Sequence, residues 1–484
     1  MRASTTRRGR TAVLLLTGAL AAVLAAGAVP ASGAEGPAAG PGLDQVLFVA
    51  NNWDGTADLV DQDSLTVVKR LDVIPDIDER MAEIRSDPER LAFFLAIRQF
   101  IGEGNDQYAD DMFTSLDGTT VYVSRPSLAD VVGIDLASGR VVWRFPMDGQ
   151  RSDHMGISPD GSRLLVSDST ANVVHVLDPR TGQKVAEFAS GDSPHESNFS
   201  RDGSRVFHAS IGLVYTPLDR PAFDTTKGER FLQVVDTSDW SVDRRDLGEN
   251  LRAEEGKDDT VVVDGAEERY PDSPAIRPMA VSPDETTLYL QLSFFHGYVV
   301  YDVEQDLITR VVNLPDLLPA TTTREQYLLD SAHHGLAISP DGGRLCVAGT
   351  MSDYAAVVPV DEPDELVLVN DIVKPYWSTN SGDGKRCFIS ASGADEVVVV
   401  EYATGEEIAR IPVGNHPQRM RLGVVQAGLL DKEPAPSAAP TAFAGAAPGT
   451  TGRSLPATGW PLAVPAAAAL VGAAALRRRT RGGR

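Results

Sequence analysis

The chain has 484 residues, 42% of them hydrophobic, with two cysteines and a net charge of −24 at pH 7. That length exceeds what one hydrophobic core usually fills, so several domains or a repeat architecture are expected. The acidic balance repels phosphate backbones and anionic lipid, which argues against nucleic-acid and peripheral membrane binding.

In chain order, Arg7, Arg8 and Arg10 precede an apolar run over 12–29, and Ser32-Gly33-Ala34 supplies small residues for a signal peptidase. Residues 1–34 therefore read as an export signal of the general secretory type. The folded part is expected over 44–425. Its first segment offers strands at 46–49, 58–61 and 66–72 but lacks an inner strand. Residues 75–107 then read as helical: Ser86 or Asp87 suits a cap, Pro88 suits the first helical position, and Leu91, Phe94, Ile97 and Ile101 recur on one side.

From there a unit repeats. Leu116-Asp117-Gly118, Pro159-Asp160-Gly161, Arg201-Asp202-Gly203, Pro283-Asp284-Glu285, Pro340-Asp341-Gly342 and Gly382-Asp383-Gly384 each sit between apolar runs and predict tight hairpins. An acidic residue opening a second turn follows each: Asp135, Asp178, Asp236, Asp302, Asp361 and Glu401, 18 residues later in four of the six units. Four short strands per unit, for example 155–158, 163–167, 173–177 and 184–189, make one propeller blade. After the last full unit, Gly414-Asn415-His416-Pro417 restarts the pattern of Gly191-Asp192-Ser193-Pro194-His195 and stops. That strand supplies the piece missing from the first blade, giving an all-β, seven-bladed propeller closed by its C-terminal strand. Ser158-Pro159-Asp160-Gly161, a β run and then Asp178-Pro179-Arg180-Thr181-Gly182 resemble the YVTN-type repeat of bacterial and archaeal surface propellers. The resemblance implies the fold and leaves activity open.

The tight turns between the first and second, and third and fourth, strands of each blade leave one face of the disc trimmed. Extra chain at 75–107, 213–229, 249–275 and 315–331 goes to the opposite face, which marks that face as functional. The acidic stretch 252–270 reads as a solvated loop, and 75–107 as a lid. Counting back seven or six positions from each turn aspartate reaches the start of each inner strand on that same face. The residues found are Asp110 and Asp111, Asp153 and His154, His195 and Glu196, Arg277, His334 with His333 beside it, and Tyr376; the closing strand adds Gln418 and Arg419. His154, His195 and His334 are thereby candidate ligands for a transition metal, with Asp110, Asp153 and Glu196 as neighbours expected to raise their proton affinity. An acid–base site without metal is the competing reading. Phe294-Phe295 would suit carbohydrate or protein contact if exposed. His175, His208 and His296, and Trp143, Trp240 and Trp377, read as packing or rim residues, while Trp53 lies in a connection facing the same side.

Cys346 and Cys387 fall on the second strands of neighbouring blades, five and four residues after the turn aspartate. Alternation aims them at each other and export permits oxidation, but sheets packed about 10 Å apart oppose a bridge.

Residues 431–454, mostly Pro, Ala, Gly, Ser and Thr, read as a flexible stalk. Leu455-Pro456-Ala457-Thr458-Gly459 follows, then an apolar run over 460–476 and Arg477-Arg478-Arg479. This resembles the sorting signal of sortase-anchored surface proteins, which implies cleavage between Thr458 and Gly459 and attachment to peptidoglycan. The expected location is outside the cell, anchored to the bacterial wall, with membrane contact only through the unprocessed C-terminal segment. Residues 1–34 and 459–484 hold nine arginines and no acid, so their removal takes the net charge from −24 to −33. The leading functional expectation is a recognition module for a protein, carbohydrate or small ligand at the insertion-bearing face. The alternative is an extracellular lyase, lactonase or metal-dependent oxidoreductase using the channel groups. Neither a phosphate loop nor a GxSxG elbow, a CxxC pair or an HExxH helix is present to narrow this.

Overall fold

A computed structural model describes residues 36–37, 40–213, 225–254, 260–322 and 331–431. The segment expected to be an export signal, nearly all of the expected stalk and the expected sorting signal lie outside the described residues. The repeat unit does fold as a blade: each hairpin's aspartate ties its own turn. In Ser158–Ser162, Asp160 Oδ1 accepts from Ser158 Oγ at 2.6 Å and from the Ser162 amide at 3.0 Å, while Ser158 Oγ accepts from the Ser162 and Arg163 amides. The same serine–aspartate pair closes the turns at Ser115/Asp117, Ser200/Asp202, Ser282/Asp284, Ser339/Asp341 and Ser381/Asp383. Gly161 takes φ +66° there, a value that glycine adopts without steric cost; in the fifth blade Glu285 adopts +61° instead.

Seven four-stranded antiparallel units form the ring, with the order β29-β1-β2-β3 in the first blade. Here β1 is Leu43–Asn51, β2 Thr56–Asp61, β3 Thr66–Asp72 and β29 Pro417–Gln426. The C-terminal strand thus supplies the innermost position of the first sheet, pairing Leu43 with Gln426 through Asn51 with Pro417. Closure removes the free sheet edge that an open ring would expose. The inner strands of blades two to seven are β4 (Met112–Thr114), β8 (Ser152–Ile157), β12 (Pro194–Phe199), β17 (Ile276–Val281), β21 (Gly335–Ile338) and β25 (Pro375–Asn380). Between blades, apolar side chains from facing sheets form the core, for example Val46, Phe48 and Leu59 against Val121, Val123 and Val132.

The extra chain departs from expectation in one place. Residues 260–262, read as part of a solvated loop, form β16 (Thr260–Val262), which lies parallel to β20 (Leu307–Asn313) and adds a fifth strand to the fifth blade. Val263 follows it into the core between blades five and six, and that apolar anchor overrides the acidic composition around it. Helix α3 (Leu247–Glu254) precedes it, with Leu247 and Leu251 buried.

The first insertion forms α1 (Ile77–Ser86) and α2 (Pro88–Phe100). Asp87 caps α2, its side chain accepting from the Glu89 and Arg90 amides. The pair is held to the disc by charge as well as by packing. Arg125, fully buried, donates to Asp130 at 2.8 Å and to Asp76, at the entrance to α1, at 2.5 Å. Arg90 donates to the Gln150 and Ser127 carbonyls at 2.7 and 3.1 Å, and Glu103, just after α2, pairs with Lys374 at the entry to blade seven. Among the described residues no helix is long and apolar enough to cross a membrane.

Cys346 on β22 (Arg344–Gly349) and Cys387 on β26 (Arg386–Ala391) are joined in a disulfide, with Cα atoms 6.4 Å apart. The blades come closer than the usual sheet separation at this point, where the layer between them includes Ala337, which pairs with Cys346, and Ala348, Ala355 and Ala391 among larger side chains. The bridge closes a loop with a sequence separation of 41, so chain-entropy arguments give it about 3–4 kcal/mol. Replacing both cysteines with alanine is expected to lower the urea midpoint accordingly, and an unchanged midpoint would remove the bridge from the account of stability.

Candidate metal centre at the channel mouth

Inner strands enter the channel from the insertion-bearing face, and in four of them the residue at the mouth sits in a β-bulge. Register shifts fall between Ser152 and Met155, Pro194 and Ser197, Ile276 and Met279, and Pro375 and Trp377. A bulge breaks the two-residue alternation and re-aims a side chain. His154, His195, Arg277 and Tyr376 all lie inside these shifts.

His154, His195 and His334 come from blades three, four and six, and each offers a ring nitrogen such that the three atoms lie within 4.8 Å of one another. Ring centroids are 3.9 Å apart for His154 and His195, 5.5 Å for His195 and His334, and 6.3 Å for His154 and His334. All three are buried, at 2% exposure or less. His334 Nδ1 faces the Tyr376 carbonyl at 3.4 Å, and donation there leaves Nε2 with its lone pair; Nε2 has no hydrogen-bond partner, nor does His195 Nδ1. Tyr376 stacks on the His334 ring at 4.1 Å.

Around them the charges are paired. Arg419 donates to Asp110 at 2.6 Å and to His154 Nδ1 at 3.1 Å, a second guanidinium nitrogen lies against His154 Nε2, and the group lies over Trp377, so both ring nitrogens of His154 touch this cation. Arg151 pairs with Asp153, which also accepts from Ser169 Oγ at 2.8 Å. Burial opposes ionisation of Asp153, but Arg151 and Arg419 outweigh it and hold the carboxyl below its usual range. Asp110 goes the other way, pushed up to about 7 chiefly by burial with the neighbouring Asp153 adding, against the pull of Arg419.

The carboxylates were expected to raise the proton affinity of the histidines, and the opposite holds. Burial, with Arg419 next, drives His154 well below its ordinary value; burial and then Arg277 do the same to His195 and His334. The imidazoles are therefore neutral, the form that coordinates metal.

Not every expected residue joins the cluster. Glu196 turns into the seam between blades, where it accepts from the Met279 amide at 2.9 Å and from Asn198. Asp111 is held by Arg421 and the Met155 amide. His333 points away to Tyr354, 3.1 Å from its hydroxyl, and its ring meets His296 edge-on. Phe295 is buried in the core rather than exposed, which removes the aromatic pair as a contact patch. Trp53 stacks flat on His416 at 3.7 Å. Arg151 was missed because it precedes the strand start by one position; Trp377 is core, as the sequence reads, and also lies 5.7 Å from the His154 ring.

No protein-family model matches the chain, and no curated protein does. Solved structures with related shapes include hydrazine synthase of Kuenenia stuttgartiensis, 17% identical, with 64% of this chain and 88% of that chain covered and a TM-score of 0.46. Another is the β-propeller domain of Cps50 (Swd1) of Myceliophteria thermophila, 12% identical, with 63% and 86% covered and a TM-score of 0.42. Both are distant. The seven-bladed assignment rests on the strand pairing itself.

Proposed function

We propose that this protein is an exported, wall-attached propeller whose channel mouth binds one transition-metal ion through His154, His195 and His334. The observation that carries this reading is three buried, neutral imidazoles converging within 4.8 Å, two of them with a ring nitrogen lacking any hydrogen-bond partner. An all-imidazole donor set suits Cu²⁺ or Zn²⁺, with Cu²⁺ the tighter. Three protein ligands leave a coordination position for an outside molecule; His154 joins the set when the Arg419 guanidinium, which lies against both of its ring nitrogens, swings away, and Arg277 lends positive charge beside the site. A small anionic or oxygen-bearing ligand admitted under α1 and α2 fits that setting, which supports a metal-dependent extracellular enzyme. Metal analysis of the purified propeller tests the core of the reading: one copper or zinc per chain is expected, and a metal-free protein that takes up neither ion overturns it.

A second reading, a recognition surface for a protein or carbohydrate, draws on the insertions at 75–107, 213–229, 249–275 and 315–331. These all connect strands on one side of the disc. The two readings are compatible if the same loops govern access to the metal.

Surface attachment follows from Leu455-Pro456-Ala457-Thr458-Gly459 and the apolar and arginine-rich segments after it, with sortase and peptidoglycan as partners. Changing Leu455-Pro456 to Ala-Ala is expected to move the protein from the wall fraction to the membrane or medium. An unchanged wall fraction, in that variant or in a strain without sortase, refutes the anchoring.

A further inference from the structure

A second group of donors lies away from the channel, on the outer part of blade three. His175 is on β10 (Val173–Asp178), Glu187 opposite it on β11 (Gln183–Ala189), and Asp148 in the connection from blade two. Their donor atoms also lie within 4.8 Å of one another. His175 is fully buried, yet both carboxylate side chains are about half exposed, at 51% for Asp148 and 49% for Glu187.

The ring nitrogens of His175 have different surroundings. Nε2 lies 3.4 Å from Oδ2 of the buried Asp168 and 4.0 Å from Asp148. Asp168 is itself fixed, since the same oxygen accepts from the Gly149 amide at 2.6 Å, a bond that also positions the neighbouring Asp148. Donation from Nε2–H to Asp168 leaves the Nδ1 lone pair available. Nδ1 has no hydrogen-bond partner and lies 3.6 Å from Glu187 Oε2. A carboxylate behind the imidazole and an unpartnered nitrogen in front of it is the arrangement that orients metal-bound histidines. The Lys184 ammonium already lies against both carboxylates, 3.0 Å from Asp148 and 2.8 Å from Glu187, so the carboxylates converge on a place that favours positive charge.

We propose that His175 Nδ1 and Glu187, joined by Asp148 from the Nε2 side of the ring through the place the Lys184 ammonium now holds between the two carboxylates, form a zinc-class divalent metal site in which the ion displaces that ammonium. One imidazole and two carboxylates suit Zn²⁺; Mg²⁺ and Ca²⁺ prefer all-oxygen shells. Because Lys184 competes, the site is tuned to high metal concentration rather than to permanent occupancy. This inference is independent of the channel mouth.

The test titrates Zn²⁺ calorimetrically into the full chain and into Lys184→Met and Glu187→Gln, with circular dichroism confirming that both variants fold. Both changes are at solvent-facing side chains, so the fold is expected to hold. Lys184→Met is expected to bind the outer ion about tenfold more tightly. Glu187→Gln is expected to lose that ion while any ion at the mouth is retained in both variants. Equal stoichiometry and equal affinities across the three proteins overturn the site. Mg²⁺ matching Zn²⁺ in Lys184→Met overturns the assignment of metal class.

Discussion

Replacing His154, His195 and His334 together with glutamine is expected to abolish copper uptake at the channel mouth, weakening it by more than about a thousandfold, or ~4 kcal/mol. The physical basis is the cost the metal-free site carries. His195 Nδ1 and His334 Nε2 are buried without partners, and an unsatisfied buried nitrogen costs about 1–3 kcal/mol. The unchanged protein should therefore gain thermal stability as Cu²⁺ is added, since an ion that binds only the native state shifts the unfolding equilibrium. The triple variant should lose the share of that gain which the mouth supplies. Should the variant fail to fold, the unchanged protein still decides: its bound Cu²⁺ must show hyperfine coupling to three imidazole nitrogens. Arg180, exposed on the trimmed face, provides the control, and Arg180→Ala should bind copper as the unchanged chain does. Equal copper affinity in a folded triple variant would place the metal elsewhere.

Much of the fold was legible because its turns are closed by local chemistry. The serine–aspartate pair and the residue of positive φ after it are contained within five positions of sequence, so each hairpin announces itself. The closing strand was legible from Gly414 to Pro417 because the ring needs the same strand entry in every blade. The helix start at Asp87-Pro88 was legible for the same local reason. What was not legible depends on distance in sequence. The approach of Cys346 to Cys387 occurs in a layer with alanines contributed from β21 and β23 (Tyr354–Pro359) as well as from the cysteines' own strands. The bulges that aim His154, His195 and Arg277 carry no sequence mark of their own, and counting back from the turn found these residues without showing why Glu196 faces another way. The direction of the histidine shifts was misjudged because neighbouring carboxylates are visible in sequence, whereas the burial that outweighs them is not. Composition misled at 260–262 because two valines pairing with β20 suffice to place a strand inside an acidic segment.

Acid is expected to destabilise the metal-free propeller at a pH above the ordinary carboxylate range. His208 is fully buried between Ser190 Oγ and Ser197 Oγ, each 2.8 Å from a ring nitrogen, and burial lowers it to about 3. His296 is lowered to about 4, mainly by burial, with Asp316 opposing and Arg269 adding. His416, under Trp53, is lowered well below 6.5, again by burial first and then by Lys374. In the unfolded chain these rings take a proton as pH falls below about 6.5, whereas in the fold they stay neutral, so unfolding binds protons and stability falls with pH. Their contribution is complete above about 6.5 and is lost progressively toward 4 and 3. Asp110 acts in the opposite sense: its carboxyl, raised to about 7, is protonated in the fold while the unfolded group stays ionised down to 3.8, so it offsets one histidine over that range. Three histidines less one aspartate leave a slope of about 3 kcal/mol per pH unit, against a total stability on the order of 5–15 kcal/mol. Urea unfolding should therefore show a loss of about 5 kcal/mol between pH 6.5 and 4.5, with a smaller slope in His208→Gln. The mouth histidines change in the same direction, so they can only steepen the loss. Equal stability at pH 7 and pH 5 would mean that the buried rings are protonated in the fold. That result would also remove the neutral donors on which metal binding depends.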